Sequence, residues 1–225
     1  MMLEIEDVHL SFSRLKVLDA LSCQLCRGDF VAVMGANGAG KSTLFDVIAG
    51  KILPDQGRVA LGGEDITGWS ELQRAPLIGR LFQNTRLASV DALTVRENLS
   101  LASLKDRLAT LAHGVRSFPE HIIDRMLRPL NLRLEQLLDT PMGLLSGGQR
   151  QIVSFIMATL VPPRILLLDE PTAALDPRST IALLDFAKAF VQEHKIPTLM
   201  ITHDREIARY IGNKVWMLEE GKIRH

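Results

Sequence analysis

The segment Gly35-Ala36-Asn37-Gly38-Ala39-Gly40-Lys41-Ser42-Thr43 constrains this chain more than any other part of it. The apolar run Phe30–Met34 precedes it. Apolar residues at 44, 45, 47 and 48 follow at helical spacing, with Gly50 where a helix C-cap belongs. The pattern is G-x-x-x-x-G-K-[ST] between a buried strand and a helix. A loop wrapping a polyphosphate must aim successive backbone N–H groups inward. Glycine permits the dihedrals and the close approach. The helix behind it presents its N-terminal dipole to the anion. Lys41 then supplies positive charge between the β- and γ-phosphates, and Ser42 offers a hydroxyl to Mg²⁺. The plain alternative is a glycine-rich turn with no ligand, but the strand before and the helix after favour the phosphate cradle.

A second signal completes a site. Ile165-Leu166-Leu167-Leu168 is an apolar run that ends in Asp169-Glu170. In nucleotide hydrolases with such a loop, an Asp at the end of a strand of this kind holds Mg²⁺, and Asp169 fits that role. Glu170 lies one residue further, at the carboxyl end of the strand, where ligands bind in open α/β sheets. It can orient or deprotonate an attacking water. Alone this is a weak signal, because an acid after an apolar strand is common at a sheet edge. Beside the glycine loop it becomes strong.

Around this site strands alternate with helices. Leu3–Phe12 alternates as a strand does, with Leu3, Ile5 and Val8 among acids, and Val17–Leu25 follows. Together they suggest a small antiparallel sheet. Phe30–Met34 and Ile165–Leu168 are buried strands. Thr94-Val95-Arg96-Glu97 is a capping box opening a helix to about Leu104. Ser146 precedes an apolar helix over Gln149–Leu160. Asp176-Pro177 supplies an N-cap and a first-turn proline for a helix to about Glu193. Pro197–Thr202 is a further strand, followed by a short helix and a closing hairpin around Gly221. Residues 84–145 are helical in texture, rich in Leu and Arg, and contain no apolar strand run. The reading is an α/β fold: a P-loop NTPase core with a mainly parallel sheet, an N-terminal antiparallel β subdomain and an inserted helical subdomain. The core with its β subdomain spans 1–83 and 146–225, and the insert spans 84–145, all within one nucleotide-binding domain of 1–225.

Composition excludes several classes. The 225 residues carry 47% hydrophobic and 23% charged side chains, ordinary globular values that exclude disorder and fibrous repeats. Basic and acidic residues balance at 26 each. Phosphate contacts dominate nucleic-acid affinity, so the missing basic excess argues against a nucleic-acid partner. No apolar run approaches the length of a membrane-spanning helix. Met1–Asp7 lacks the basic and apolar regions of a secretory signal, so a soluble, cytosolic chain is expected. Cys23 and Cys26 are spaced C-x-x-C. Half a zinc site or a redox pair is the sharper reading. Two buried thiols in a strand is the plainer one, and it is preferred. Residues i and i+3 of a strand point to opposite faces, and no second pair exists to complete four ligands.

Leu145-Ser146-Gly147-Gly148-Gln149 begins a second helix with glycines. One phosphate loop suffices for one nucleotide, so a second anion-ready helix terminus needs another use. On this motif the sequence resembles the ATP-binding-cassette (ABC) family, and the resemblance covers nearly all of the chain. Gln83, after an expected strand Gly79–Phe82, matches the family's Q-loop. Pro171-Thr172-Ala173-Ala174-Leu175-Asp176 looks like its D-loop, with Asp176 at the key position. Thr202-His203-Asp204 matches its switch histidine. Phe12 sits where the family places an aromatic that stacks on adenine, more often a Tyr. The chain departs from the family at Ile152 and Met157, where many members carry arginines, and at Ala173, usually a Ser. None of these is a catalytic group, so they suggest a sub-branch.

The resemblance implies a mechanism. Two such domains face head to tail, with ATP between the phosphate loop of one, Gly35 to Thr43, and the Ser-Gly-Gly loop of the other. Ser146, Gly147, Gly148, Gln149 and Asp176 then act on the partner's nucleotide. Glu170, His203, Gln83 and Lys41 form the catalytic set, with His203 on the γ-phosphate. Ser42, Gln83 and Asp169 hold Mg²⁺. The implied function is the ATPase subunit of a transporter at the cytoplasmic face of the membrane, working as a homodimer or with a sister ATPase. Its partners are separate integral-membrane permease subunits and, for an importer, an external substrate-binding protein. Leu145–Pro177 is similar to bacterial importer ATPases for amino-acid-type substrates. An exporter or lipid-efflux ATPase is the alternative. DNA-repair relatives are disfavoured because Gln83 to Leu145 holds no sustained heptads. Translation factors are disfavoured because only one cassette is present. A degenerate, non-hydrolysing cassette is disfavoured because Lys41, Asp169, Glu170 and His203 are all intact.

Overall fold

A computed structural model describes residues 2–104 and 120–224. The middle of the expected insert, 105–119, lies outside the described residues. The chain falls into two compact units. One is Met1–Gly79, Pro163–Glu170 and Val191–His225; the other is Arg80–Pro162 and Pro171–Phe190. The second unit thus includes 146–162 and 171–190, which the sequence analysis assigns to the core.

The first unit is built on two sheets. Strands β1 (Leu3–Phe12) and β2 (Leu15–Leu25) pair antiparallel. β4 (Gln56–Leu61) and the short β5 (Glu64–Asp65) complete a sheet of order β2-β1-β4-β5. The sequence reading finds β1 and β2, with β2 starting two residues later, but not β4 or β5. β4 opens on exposed Gln56 and Gly57 and closes on buried Val59, Ala60 and Leu61, so it lacks the alternation that marks β1. The second sheet has the order β10-β9-β3-β8-β7-β6. Its centre is β3 (Phe30–Met34), β8 (Thr198–Ile201) and β7 (Ile165–Asp169), all parallel and buried almost throughout. Strands covered on both faces need continuous apolar runs, and these three have them. β9 (Lys214–Glu219) also runs parallel to β3, and β10 (Lys222–Arg224) returns antiparallel to β9. Glu220 and Gly221, both at positive φ, form the turn of this expected hairpin. β6 (Ile78–Leu81) takes the place of the expected strand Gly79–Phe82, one residue earlier.

Helix α1 (Lys41–Ala49) buries Leu44, Phe45, Val47 and Ile48 in one core with Leu3, Ile5, Val31, Val33, Leu167 and Leu199. Gly50 caps it in the left-handed conformation, as its position predicts. A second cap was not legible in the sequence. The short helix α2 (Glu71–Arg74) delivers Arg74, fully buried, to four backbone carbonyls. Its guanidinium donates to Val47 and Ile48 at 2.8 and 2.9 Å, to Thr67 at 2.9 Å and to Trp69 at 3.0 Å. Two of these are carbonyls from the last turn of α1, where a positive charge also meets the negative end of the helix dipole.

In the second unit, α3 (Val95–Ala102) starts with the expected capping box between Thr94 and Glu97. A three-residue helix, α4 (Glu120–Ile122), leads into a run of irregular turns. α5 (Gly147–Thr159) begins two residues before the expected helix. α6 (Pro177–His194) matches its expected span within a residue and continues into the first unit. Phe155 of α5 and Phe186 of α6 pack edge to face, with centroids 6.1 Å apart. The short helix α7 (Arg205–Ile211) belongs to the first unit.

The cysteine reading needs correction. Cys23 is buried in β2, and burial pushes its thiol up to about 12, but Cys26 lies beyond the strand and is exposed. The turn that follows turns Cys26 outward, since its backbone N–H is held by Asp29 at 2.8 Å.

Two outcomes follow from this packing. Arg74→Ala removes the guanidinium donors to the carbonyls of Ile48, Thr67 and Trp69 and leaves the Val47 carbonyl with the Gly50 N–H alone; it should destabilise the fold by about 3–5 kcal/mol, read by urea unfolding. Brief treatment of the native protein with iodoacetamide should label Cys26 and spare Cys23, which reacts only after denaturation. Peptide mass spectrometry checks this, and equal labelling of both would contradict the burial of Cys23.

Candidate functional site

Parallel register is what assembles the site. Val33 of β3 pairs with Ile201 of β8, and Ile201 pairs with Asp169 of β7, so the three strands end level. Whatever follows them emerges at one edge, the carboxyl end where α/β sheets bind ligands. After β3 comes the glycine loop, after β7 comes Glu170, and after β8 come Thr202 and His203.

The loop is held open by close packing. Gly35 has φ +153, and a Cβ there would stand 2.3 Å from the carbonyl oxygen of Leu218. Gly40 has φ +99, and its Cβ would meet the Val17 carbonyl at 2.9 Å. Both positions therefore exclude any side chain. Ala36, Asn37 and Gly38 at the tip are exposed, and Ala39 is half-buried. Lys41 is buried, 7% exposed, and folds back over the loop. Its Nζ donates to the carbonyls of Gly35 and Ala36, both at 2.8 Å. Burial pushes the Lys41 pKa down, and the neighbouring carboxylates of Glu170 and Asp169 pull it back up. Ser42, in the first turn of α1, is exposed, and Thr43 is half-buried.

Glu170 and His203 meet directly, with His203 Nε2 2.8 Å from Glu170 Oε1. Glu170 sits at φ 48, a left-handed conformation rare for a residue with a side chain. Its backbone N–H donates to the Ile201 carbonyl at 3.1 Å, so the strained residue is tied to the strand that carries His203. On the far side of His203, Asp204 caps α7 by accepting from the N–H groups of Glu206 and Ile207. Asp169 is buried, 8% exposed, at the end of β7. A cavity of about 730 Å³ opens between Gly35–Ala39, His203 and the β9–β10 turn. Phe12 ends β1 49% exposed, and Leu15 stands directly opposite, 68% exposed.

The remaining expected site residues belong to the second unit. Ser146 is the N-cap of α5. Its hydroxyl accepts from the Gln149 N–H at 3.2 Å, and Gln149 Oε1 accepts from the Ser146 N–H at 3.0 Å. The sequence signal of this reciprocal capping box is S-x-x-Q, which the spacing of Ser146 and Gln149 carries. Gly147 and Gly148 form the first turn of α5, and a Cβ on Gly148 would lie 3.0 Å from the Ala174 carbonyl. Asp176 caps α6 as expected, accepting from the N–H groups of Arg178 and Ser179, both at 3.0 Å. The Ser179 hydroxyl also donates to Asp176, and these bonds hold its carboxyl below the usual range. Gln83 is exposed in the bend after β6. Arg150, buried against Asp91 at 2.7 Å, carries no sequence signal, because no local pattern marks an ion pair between residues so far apart in sequence.

Comparison with known proteins places the chain in a family. The ABC transporter family matches residues 18–173. The tyrosine transport ATP-binding protein of Clostridioides difficile is 37% identical over 227 residues, covering 99% of this chain and 90% of that protein. A methionine import ATP-binding protein of Rhizobium johnstonii is 35% identical over 96% of this chain, which spans only 58% of that protein's length. Among solved structures, a dimeric bacterial ABC transporter cassette superposes with a TM-score of 0.86 at 26% identity, covering 100% of this chain and 97% of that one. A dimeric post-hydrolysis cassette bound to ADP and phosphate superposes with a TM-score of 0.85 at 26% identity. With a phosphate loop, an acidic strand end and a histidine gathered at one sheet edge, and with this similarity along its whole length, the chain belongs to the ABC transporter family as an ATP-binding, ATP-hydrolysing subunit.

Proposed function

We propose that this subunit powers import of an amino-acid-class solute through separate permease subunits. The observation that carries its catalytic half is the 2.8 Å contact between His203 and Glu170 at the mouth of the glycine loop. Glu170 is placed to accept a proton from an attacking water, and His203 orients that carboxylate and meets the γ-phosphate. Lys41 is positioned to exchange its two loop carbonyls for phosphate oxygens when ATP arrives. Phe12, half in water, offers its ring face to the adenine. The hydroxyl of Ser42 and the carboxylate of Asp169 are hard oxygen donors, a set that would suit Mg²⁺. Bound there, the ion would neutralise charge on the phosphate oxygens.

The Ser146–Gln149 turn and Asp176 serve the nucleotide of a second ATPase subunit, either another copy or a sister chain. Gly147 and Gly148 let the phosphate approach the helix N-terminus. A permease segment docks beside Gln83. The transport direction and substrate class rest on the tyrosine- and methionine-transport relatives. An external substrate-binding protein completes an importer of this kind. Among the described residues no helix is long and apolar enough to cross a membrane. The subunit docks at the cytoplasmic side of its permease partner.

Lys41→Ala should abolish binding of a fluorescent ATP analogue, and wild-type affinity in that titration would remove the loop from the site. Glu170→Gln should keep ATP binding and lose turnover by roughly 10²–10⁴-fold, the usual weight of a general base. The tagged Glu170→Gln protein, with ATP, should bring down a multi-span protein from detergent-solubilised membranes. The same permease reconstituted with the wild-type subunit should take up labelled tyrosine or methionine at the expense of ATP. Outward transport, or recovery of only DNA-bound or ribosomal partners, would overturn the import reading while leaving the ATPase in place.

A further inference from the structure

The residue after the Ser146–Gln149 turn is Arg150, and its side chain leaves the helix for a distant loop. It is 6% exposed, yet it is a full positive charge. Its guanidinium donates to Asp91 Oδ1 at 2.7 Å and to the Gly143 carbonyl at 3.2 Å. The backbone closes the same knot, since the Gly143 N–H donates to the Asp91 carbonyl at 2.9 Å. Gly143 leaves no room for slack here, because a Cβ would lie 3.1 Å from that carbonyl. One residue earlier, the Val90 N–H is held by buried Asn98 Oδ1 at 2.8 Å, and the Asn98 amide donates back to the Val90 carbonyl at 3.1 Å. The segment running from Gln83 to Thr94 is thus anchored near its far end by two buried polar side chains. One of them is rooted in the first turn of α5, directly behind Ser146. The segment itself is outward-facing, with Leu87 67% and Val90 49% exposed.

A charge this deeply buried is costly unless its partner stays in place. Arg150 and Asp91 therefore move together or not at all. We infer that the Arg150–Asp91 pair is a positioning device for the Ser146–Gln149 turn, which transfers a displacement of the 83–94 segment to the groups facing the partner's nucleotide. This rests on the proposed action of that turn in trans. Arg150 touches no nucleotide in this arrangement. It acts by fixing the direction in which Ser146 and the first-turn N–H groups point. Gly148, close against the Ala174 carbonyl, gives that turn its other support.

The test is ATP-driven dimerisation, followed by light scattering in a Glu170→Gln background. Arg150→Met should raise the ATP concentration at half-dimerisation at least tenfold, while binding of the fluorescent ATP analogue to the monomer stays within twofold. Asp91→Asn should shift it in the same direction, and Arg150→Lys should recover part of the loss. The double variant Arg150→Met/Asp91→Asn should be close to Arg150→Met alone, because both remove the Arg150–Asp91 bond and the other pair Asp91 makes, with Arg86 at 3.8 Å, is solvent-exposed and weak. Dimerisation of Arg150→Met at the wild-type ATP concentration, or additive effects of the two changes, would overturn the inference. Should Arg150→Met fail to fold, the half-exposed Asp91 still allows Asp91→Asn to decide: an unshifted midpoint there counts equally against it. Failure of the Glu170→Gln parent to dimerise with ATP would instead overturn the trans reading on which the inference stands.

Discussion

The shared register of β3, β8 and β7 is the constraint on which the rest depends. Val33, Ile201 and Asp169 lie in one row across the sheet. Parallel strands reach such a row only through long crossovers, so the chain must leave and return between Met34 and Ile165 and again between Asp169 and Thr198. Those excursions are where α1, the second unit and α6 are made. Slipping a parallel strand by one residue would turn its side chains to the opposite face. It would also move His203 by a residue spacing relative to Glu170. Because these strands are apolar on both faces, the ends of the runs guard the register: a slip that drew Glu170 or Thr202 into the covered sheet would bury a polar side chain away from its partners.

Strain is concentrated where that row meets solvent. Glu170 at φ 48 costs of order 1–3 kcal/mol, and its bond to the Ile201 carbonyl keeps it there. The result is a carboxylate directed at the neighbouring strand's histidine rather than along its own strand. Lys41 shows the complementary arrangement. Its ammonium is desolvated, and two loop carbonyls and two nearby carboxylates compensate. The loop is therefore preorganised by contacts within the first unit.

The parts of the molecule legible in its sequence are those whose physics is local. A buried parallel strand is a run of apolar residues, a capping box is four residues, and a phosphate loop is nine. Phe30–Met34, Thr94–Glu97 and Gly35–Thr43 were readable for that reason. Gly50 and Asp176 were readable because caps are set by the chain immediately beside them. What escaped is non-local or lacks periodicity. β4 and β5 exist because β1 offers them an edge, with Leu61 opposite Leu3 and Val59 opposite Ile5. Arg74 looks like any helix-surface arginine until α1 supplies the carbonyls it satisfies. Cys26 was misplaced because strand alternation was extended past Leu25, into a turn where a side chain, Asp29, sets the backbone. The Arg150–Asp91 pair needs the fold before either residue has a partner.

Helix N-termini explain why the chain carries two glycine-rich helix starts with different chemistry. At α1 the N-cap is Gly40, left-handed and with no side-chain cap, so nothing of the helix's own competes with a ligand for its first N–H groups. At α5 the N-cap is Ser146, and the capping box has already claimed the N–H groups of Ser146 and Gln149. What remains there is the hydroxyl hydrogen of Ser146 and the N–H groups of Gly147 and Gly148. A hydroxyl that accepts one bond still has its own hydrogen to donate. On the proposed reading, the first terminus encloses a polyphosphate and the second adds a few directed donors to one already held. That difference in remaining donors makes the two ends complementary rather than redundant. It also makes the direction of the α5 turn matter more than its number of bonds, because a few donors contribute only when they point at the same oxygen.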